Sequence, residues 1–309
     1  MSIITKTNQP RAANIPSQKN TLPWKLTEPK YRFCDLILDH STISQLNDVV
    51  SFYQHQDLLL NTWGLAERYA EKGGLAANLY GEPGTGKTMA AHAIAKALGK
   101  KLILVDYAEI ESKYVGETAK NLNTLFHVAA EKDAVIFFDE ADALLSKRVT
   151  AMASATDVSV NQTRSVLLNL LNDYKGITLF ATNFLQNYDS AFLRRIRYHI
   201  HFPLPDADHR EMLWKQYIPA RMPCHADCRE LAEQYDGVSG SDIANAVFTA
   251  AVSAARNHAK EVSQVSLERA IQNTIDVKSA NNRNGLRKYT EGIEVMDDQR
   301  DETKKVREL

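Results

Sequence analysis

Residues 81–88 read Gly-Glu-Pro-Gly-Thr-Gly-Lys-Thr, the pattern G-x-x-x-x-G-K-[ST] in full. Gly81, Gly84 and Gly86 let the backbone wrap so tightly that successive N–H groups point into one concavity, a shape that a Cβ would obstruct. Such a concavity takes phosphate: Lys87 then reaches the β- and γ-phosphates and the Thr88 hydroxyl ligates Mg²⁺, with Glu82, Pro83 and Thr85 in the variable positions. By average composition the bare pattern arises in about one chain in a hundred of this length, so its flanks decide. Ala-Ala-Asn-Leu-Tyr before it reads as a strand and Thr-Met-Ala-Ala-His-Ala-Ile-Ala-Lys-Ala-Leu after it as a helix. The loop requires that context, whereas a glycine turn with an incidental lysine does not.

Downstream, Val135-Ile-Phe-Phe-Asp139-Glu140-Ala141-Asp142 is an apolar run ending in acids. Alone it reads equally well as a helix start with favourable carboxylates. After a phosphate loop it reads as a metal-holding strand end: Asp139 holds the Mg²⁺ shell, and Glu140 is the natural general base for a water in line with the γ-phosphate.

The apolar runs Ala76–Tyr80, Leu102–Val105, Val135–Phe138, Ile177–Ala181 and His199–Phe202 are short, and the first four alternate little, as strands buried on both faces of a parallel sheet do. Helical patterns such as Thr88–Leu98 and Thr118–Ala130 lie between them. The expected fold class is therefore α/β, a five-stranded parallel sheet flanked by helices. After Pro203 and Pro205 only helical patterns follow (Asp208–Tyr217, Cys228–Tyr235, Ser241–Ala259, Ser266–Ile275), which predicts a small all-helical unit. Pro10, Pro16, Pro23 and Pro29 predict a flexible arm at the start. The expected division is an arm over 1–30, a large α/β unit over 31–206, a helical unit over 207–280 and a charged tail over 281–309.

Composition narrows the function classes. With 37 Lys+Arg against 38 Asp+Glu, the chain has no general pull toward nucleic acid or an anionic membrane. No apolar run approaches the roughly 18 residues of a membrane span, no secretory signal opens the chain, and three cysteines are too few for a disulfide scaffold. A cytoplasmic location is expected. Cys224-His225-Ala226-Asp227-Cys228 offers three possible zinc ligands, but no second Cys/His pair follows, so a loop with partly buried cysteines is the reading.

These motifs together resemble the AAA+ ATPases, and in particular the AAA-type members that remodel proteins; the resemblance spans about residues 30–275. It implies ATP as the nucleotide with Mg²⁺, and a P-loop AAA+ module followed by a helical lid. Thr182-Asn183 resembles sensor 1, where Asn183 would position the attacking water. Asp189-Ser-Ala-Phe-Leu-Arg194-Arg195-Ile-Arg197 resembles the arginine-finger box, on which Arg194 and Arg197 would reach the γ-phosphate of a neighbouring subunit. Gly237-Val-Ser-Gly240-Ser241-Asp242 resembles the start of the lid helix near the adenine, and Asp35-Leu36 falls where the family lines the base pocket. Lys113-Tyr114-Val115 resembles pore loop 1, whose aromatic grips a threaded polypeptide; Thr150–Thr156 falls where a second pore loop would lie. Ser241 stands where many branches carry a lid arginine, and Asn123 where several relatives carry another.

The resemblance implies a homohexamer acting on a protein client. Module size and pore chemistry are similar to bacterial HORMA-remodelling ATPases of the pachytene-checkpoint type, which disassemble HORMA-domain complexes, including ones in antiphage nucleotide signalling. Two alternatives stay open: an unfoldase serving a separate protease, and an ATP-gated scaffold that threads nothing. A nucleic-acid motor is disfavoured by the neutral charge and the aromatic pore loop.

Overall fold

The computed structural model describes residues 23–69, 74–106, 117–146, 155–183 and 188–280. Each of the five apolar runs forms a strand: β2 (Leu75–Gly81), β3 (Lys101–Asp106), β4 (Ala134–Asp139), β5 (Ile177–Thr182) and β6 (Tyr198–Phe202). They join β1 (Trp24–Thr27) in one six-stranded sheet of order β1-β3-β4-β5-β2-β6. From β3 across to β6 all neighbours are parallel, while β1 runs antiparallel to β3 with Trp24 opposite Val105.

The sheet thus has one strand more than expected, and that strand comes from the segment expected to be an arm. Pro23 and Pro29 bracket Trp-Lys-Leu-Thr rather than interrupt it, and an edge strand needs a ladder on one side only. Residues 1–22 of the expected arm and the tail 281–309 lie outside the described residues.

Parallel strands need crossovers, and these put a helical layer on each face. Helices α1 (His40–Gln54) and α2 (Lys87–Ala97) cover one face; α3 (Glu117–Glu131) and α4 (Ala155–Asp173) cover the other. Phe137 and Phe138 are consecutive and so feed opposite faces. Phe137 joins Leu179, Leu79 and Ile94 beneath α1 and α2. Phe138 joins Phe126, Leu167 and Phe180 beneath α3 and α4, its ring stacked on Phe180 at 5.2 Å between centroids. Small side chains at Ala90, Ala91, Ala93 and Ala95, all fully buried, let α2 lie close over the sheet.

Four further helices, α5 (Ala207–Tyr217), α6 (Cys228–Gln234), α7 (Gly240–Arg256) and α8 (residues 264–280), enclose a separate cluster centred on Trp214, Leu231, Ile243 and Leu267. The α7 start is fixed by a reciprocal cap. Ser239 accepts from the Asp242 N–H, and the Asp242 carboxylate accepts from the Ser239 N–H at 2.7 Å. No helix among the described residues is long and apolar enough to cross a membrane.

Trp24 is the one large side chain that β1 commits to the core, at 8% exposure. Trp24→Ala should therefore lower stability by about 3 kcal/mol, the low end for an aromatic truncation because the site is at a sheet edge. Urea denaturation reads this as a lower midpoint at unchanged slope; an unmoved midpoint would mean that β1 adds nothing to the fold.

Candidate nucleotide-binding site

At the carboxyl end of β2 the chain turns into the glycine loop. Gly81 has φ 146°, and a Cβ there would lie 2.2 Å from the Phe202 carbonyl oxygen, so β6 approaches too closely for any side chain. Gly84 and Gly86 take φ 78° and 102°. The Thr85 hydroxyl braces the loop by donating to the Glu82 carbonyl at 2.8 Å. Helix α2 then starts with Gly86 at its cap and no side chain bonded to its first-turn N–H groups, leaving the positive end of the helix directed at the loop's concavity.

The Lys87 ammonium is buried against this loop. It donates to the carbonyls of Gly81 at 2.7 Å and Glu82 at 3.0 Å, and to Asn183 Oδ1 at 3.3 Å. Burial lowers its pKa, and the nearby carboxylates of Asp139, Asp142 and Glu82 only partly oppose that. A glycine cradle around a desolvated cation and an uncapped helix start fits a polyphosphate.

Beside it the Thr88 hydroxyl donates to Asp139 Oδ2 at 3.2 Å, which sets a hydroxyl and a carboxylate side by side as Mg²⁺ ligation needs. Glu140 follows in the left-handed conformation at φ 50°, with its side chain exposed. Such a backbone costs about 1 kcal/mol in a non-glycine residue. It is held by the Glu140 N–H donating to Asp139 Oδ1 at 3.0 Å and the Ala141 N–H donating to the Ala181 carbonyl at 2.9 Å. The Asn183 N–H donates to Asp142 Oδ2 at 3.4 Å. Lys87, Thr88, Asp139, Glu140 and Asn183 thus meet at the carboxyl ends of β2, β4 and β5, where the strand order reverses direction and ligands of open α/β sheets bind.

Next to the loop opens a cavity of about 300 Å³, lined by Asp35, Leu36, Ile37, Gly84, Tyr217 and Gly240 among others. Asp35 has its carboxylate turned to the Arg32 N–H at 2.7 Å, a bond that lowers its pKa. Helix α7 closes one side. The Ser241 N–H donates to the Gly84 carbonyl at 3.2 Å, and a Cβ on Gly84 would lie 1.9 Å from the Ser241 hydroxyl oxygen. Ser241 therefore seats on the crest of the loop.

The arginine segment lies elsewhere. Asp189 caps the short turn Ser190–Leu193, and Arg195 bends inward, donating to Asn172 Oδ1 at 2.9 Å and the Ala191 carbonyl at 3.0 Å. Arg194 and Arg197 are exposed, with the Arg197 guanidinium 5.9 Å from the centre of the Phe52 ring. The Arg197 N–H donates to the Ala76 carbonyl at 2.9 Å, at the amino end of β2. Five residue steps along the strand separate Ala76 from Gly81, roughly 16 Å. The Arg197 backbone therefore stands at the opposite end of β2 from the loop of its own chain.

Sequence reading missed Lys25. It sits on β1 and lines a second opening together with Thr88, Asp106, Asp139 and Glu140. Only the pairing of β1 with β3 brings it there, and no local pattern announces that. Lys113, Tyr114, Val115 and most of Thr150–Thr156 lie outside the described residues. Cys224 and Cys228 are half-buried against the helical cluster, with burial raising the Cys228 thiol pKa.

The loop between β2 and α2, the acidic end of β4, the polar end of β5 and the helical cap define a P-loop nucleotide site with a helical lid beside it. Residues 77–204 match the ATPase family associated with various cellular activities (AAA), and the chain carries an AAA ATPase domain. It is 38% identical over 192 residues to proteasome-activating nucleotidase 1 of Haloferax volcanii, covering 60% of this chain and 47% of that protein. It is 36% identical over 193 residues to katanin p60 ATPase-containing subunit A1 of Strongylocentrotus purpuratus (58% and 36%). With the ATP-dependent zinc metalloprotease FtsH of Helicobacter felis the identity is 31% over 264 residues (80% and 39%). The chain spans about half the length of the curated relatives it matches.

The seat of Ser241 on Gly84 is testable without nucleotide. In Gly84→Ala the added methyl displaces Ser241, so the amides of 239–243 should exchange with deuterium faster. Gly86→Ala carries a like backbone strain at φ 102° but its Cβ meets nothing within 4 Å, so it should speed exchange of these amides far less. Equal exchange in the two variants would mean that the lid is not held by this contact.

Proposed function

We propose that this chain is an ATP-driven protein remodeller that works as a ring, most simply a homohexamer, and pulls a client polypeptide through a central channel. The observation that carries the reading is the position of Arg194 and Arg197. The Arg197 backbone is anchored at the amino end of β2, away from the loop at its carboxyl end, and Arg194 is exposed on the same segment, which supports a site completed by a second copy of the chain.

In that reading the loop 81–86 and the α2 start cradle the phosphates, and Lys87 holds the β- and γ-phosphates. Thr88 and Asp139 would hold Mg²⁺, whose charge would offset that of the phosphates. Glu140 is the general base, and its exposed carboxylate can reach a water on the open side of the site. Asn183 orients that water, a role its bond to Lys87 supports. Asp35, Leu36, Gly240 and Ser241 surround the base. Ser241, a hydroxyl over Gly84, supplies no cation to the γ-phosphate, which leaves the transition-state charge to Lys87 and the neighbour's arginines.

Lys113, Tyr114 and Val115 are proposed as the pore loop on resemblance alone. A HORMA-domain client in an antiphage signalling system is the finer proposal, resting on module size and pore chemistry. The names of the relatives favour a second reading, an unfoldase for a separate protease, because one is proteasome-activating and another an ATP-dependent metalloprotease. This sequence contains no H-E-x-x-H pair of its own with which to bind a protease zinc. A cytoplasmic ring is the setting proposed for either.

Assembly is tested by mixing. A chain with Arg194→Ala and Arg197→Ala, and separately a Glu140→Gln chain, should each hydrolyse ATP at least ~100-fold more slowly than the parent. Mixed in equal amounts they should recover up to about a quarter of the parent rate, since one interface in four pairs an intact loop and base with intact arginines. No recovery in rings shown to be mixed would overturn action across the interface.

Threading is tested at Tyr114. Its ring would supply contact area that is released and re-formed at each step. Tyr114→Ala should leave ATP turnover within about three-fold of the parent, under roughly 1 kcal/mol. Disassembly of a HORMA–partner complex, or unfolding of a tagged substrate, should stop, while Tyr114→Phe or Trp should retain much of it. Normal client processing by Tyr114→Ala would leave the scaffold reading in its place.

A further inference from the structure

Tyr188, immediately before the arginine segment, has its hydroxyl inside the core at 5% residue exposure. It donates to the Thr182 hydroxyl. That hydroxyl donates to Asn78 Oδ1 at 3.3 Å, and Asn78 Nδ2 donates back to the Tyr188 hydroxyl at 3.4 Å. The three side chains close a ring in which each gives one hydrogen bond and takes one. Asn78 is fully buried and Thr182 nearly so, and Tyr188 packs with Phe138, Phe180, Phe192 and Ile196. Burial raises the pKa of Tyr188, so its hydroxyl stays a donor at physiological pH.

Polar groups in an apolar cluster are tolerated when all are satisfied, and these three are satisfied together at one relative position only. Apolar side chains of similar volume would fill the same space and accept small shifts. The ring therefore fixes where Tyr188 sits on β2 and β5.

Both strands run from the ring into the phosphate site. Gly81 follows Asn78 on β2, and Asn183, which accepts from Lys87, directly follows Thr182. In the other direction Tyr188 leads straight into the arginine turn. The Asp189 N–H donates to the Leu145 carbonyl at 2.9 Å, in the turn that follows β4, and the Asp189 carboxylate caps Ser190–Leu193. At its far end the turn is bonded to β2 again, Arg197 N–H to the Ala76 carbonyl. The turn that carries Arg194 is thus tied to the phosphate-loop strand on both sides.

We infer that Tyr188 is a positioning residue for Arg194 and Arg197: the ring with Asn78 and Thr182 sets the place of the arginine turn on the sheet, and so where each subunit presents its arginines to the next. The inference rests on the reading that these arginines act across a subunit interface.

Mixed rings separate the two. The receiving chain carries Arg194→Ala and Arg197→Ala, and the giving chain carries Glu140→Gln, so every turnover uses a loop of one and arginines of the other. Tyr188→Phe is then introduced in the giving chain alone. It should lower kcat of the mixed ring by about five-fold or more at unchanged KM for ATP, because the chain that binds the hydrolysed nucleotide is untouched. Unchanged kcat would overturn the inference. In case the lone substitution merely loosens the fold, a giving chain with Asn78→Leu, Thr182→Val and Tyr188→Phe replaces the whole ring with apolar groups, a change that can leave stability nearly intact. It should regain the parent's thermal midpoint and remain slow; a rate that returns with stability would reduce Tyr188 to packing and overturn the inference. No turnover from mixed rings with Tyr188 intact would overturn action across the interface, and the inference with it.

Discussion

Lys87 carries its charge to a place that water scarcely reaches, and the oxygens that hold it there belong to the loop itself and to the end of β5. A buried ammonium is costly unless it is paired, and carbonyl dipoles pair it incompletely. The folded chain therefore keeps a cation in waiting, and what would complete it is a further negative charge beyond Asp139, Asp142 and Glu82. The geometry around it follows from that need. The glycines turn their N–H groups inward, α2 begins without a capping side chain, and the carboxylates stand off at the tips of neighbouring strands instead of forming a direct ion pair that would neutralise the lysine.

The position of that cation depends in turn on how closely the elements behind it approach. Gly81 permits β6 to pass where no side chain fits, and the alanines of α2 let the helix start directly over the strand. On the opposite face the aromatic stack of Phe138 on Phe180 joins β4 to β5 just before Asp139 and Thr182. Asp139 and Thr182 are thus carried at the ends of strands whose register is fixed by large buried side chains one and two residues before them. Glu140 is the exception. Its backbone is strained, and it is held by its own N–H bonded to the Asp139 carboxylate before it and by the next N–H, of Ala141, bonded to the end of β5.

How much of this was legible in the sequence depended on whether the signal was local. Strands β4 and β5 are buried on both faces, so their residues are apolar without alternation and announce themselves. The phosphate loop and the acids after β4 are contiguous motifs. β1 was not legible, because an edge strand of four residues between two prolines resembles a linker, and Lys25 was lost with it. Helix α7, predicted through Ala259, ends at Arg256 because His258 adopts φ 51°. Helix α8, predicted over Ser266–Ile275, continues to residue 280, where Lys278 pairs with Asp242 of the α7 cap. The ring of Asn78, Thr182 and Tyr188 had no signal at all. Asn78 reads as one polar residue in an apolar run, and its partners lie 104 and 110 positions away.

The β2 strand gives the molecule a direction. Its carboxyl end opens into the glycine loop and its amino end bonds the backbone of Arg197, so on the proposed reading the giving and receiving surfaces are separated by the length of one strand. A chain that gives at one place and receives at another associates head to tail, and head-to-tail association yields either an open filament or a closed ring. Closure is favoured when each copy is held at one angle to the next, and here the angle would depend on a turn whose two ends are fixed to the same strand. The hydrogen-bonded ring at Tyr188 and the backbone bond at Arg197 leave that turn little freedom to slide. A shift of β2 or β5 at the phosphate site would then move the arginines as a unit, and the neighbour would sense it as a change in the charge facing its own γ-phosphate.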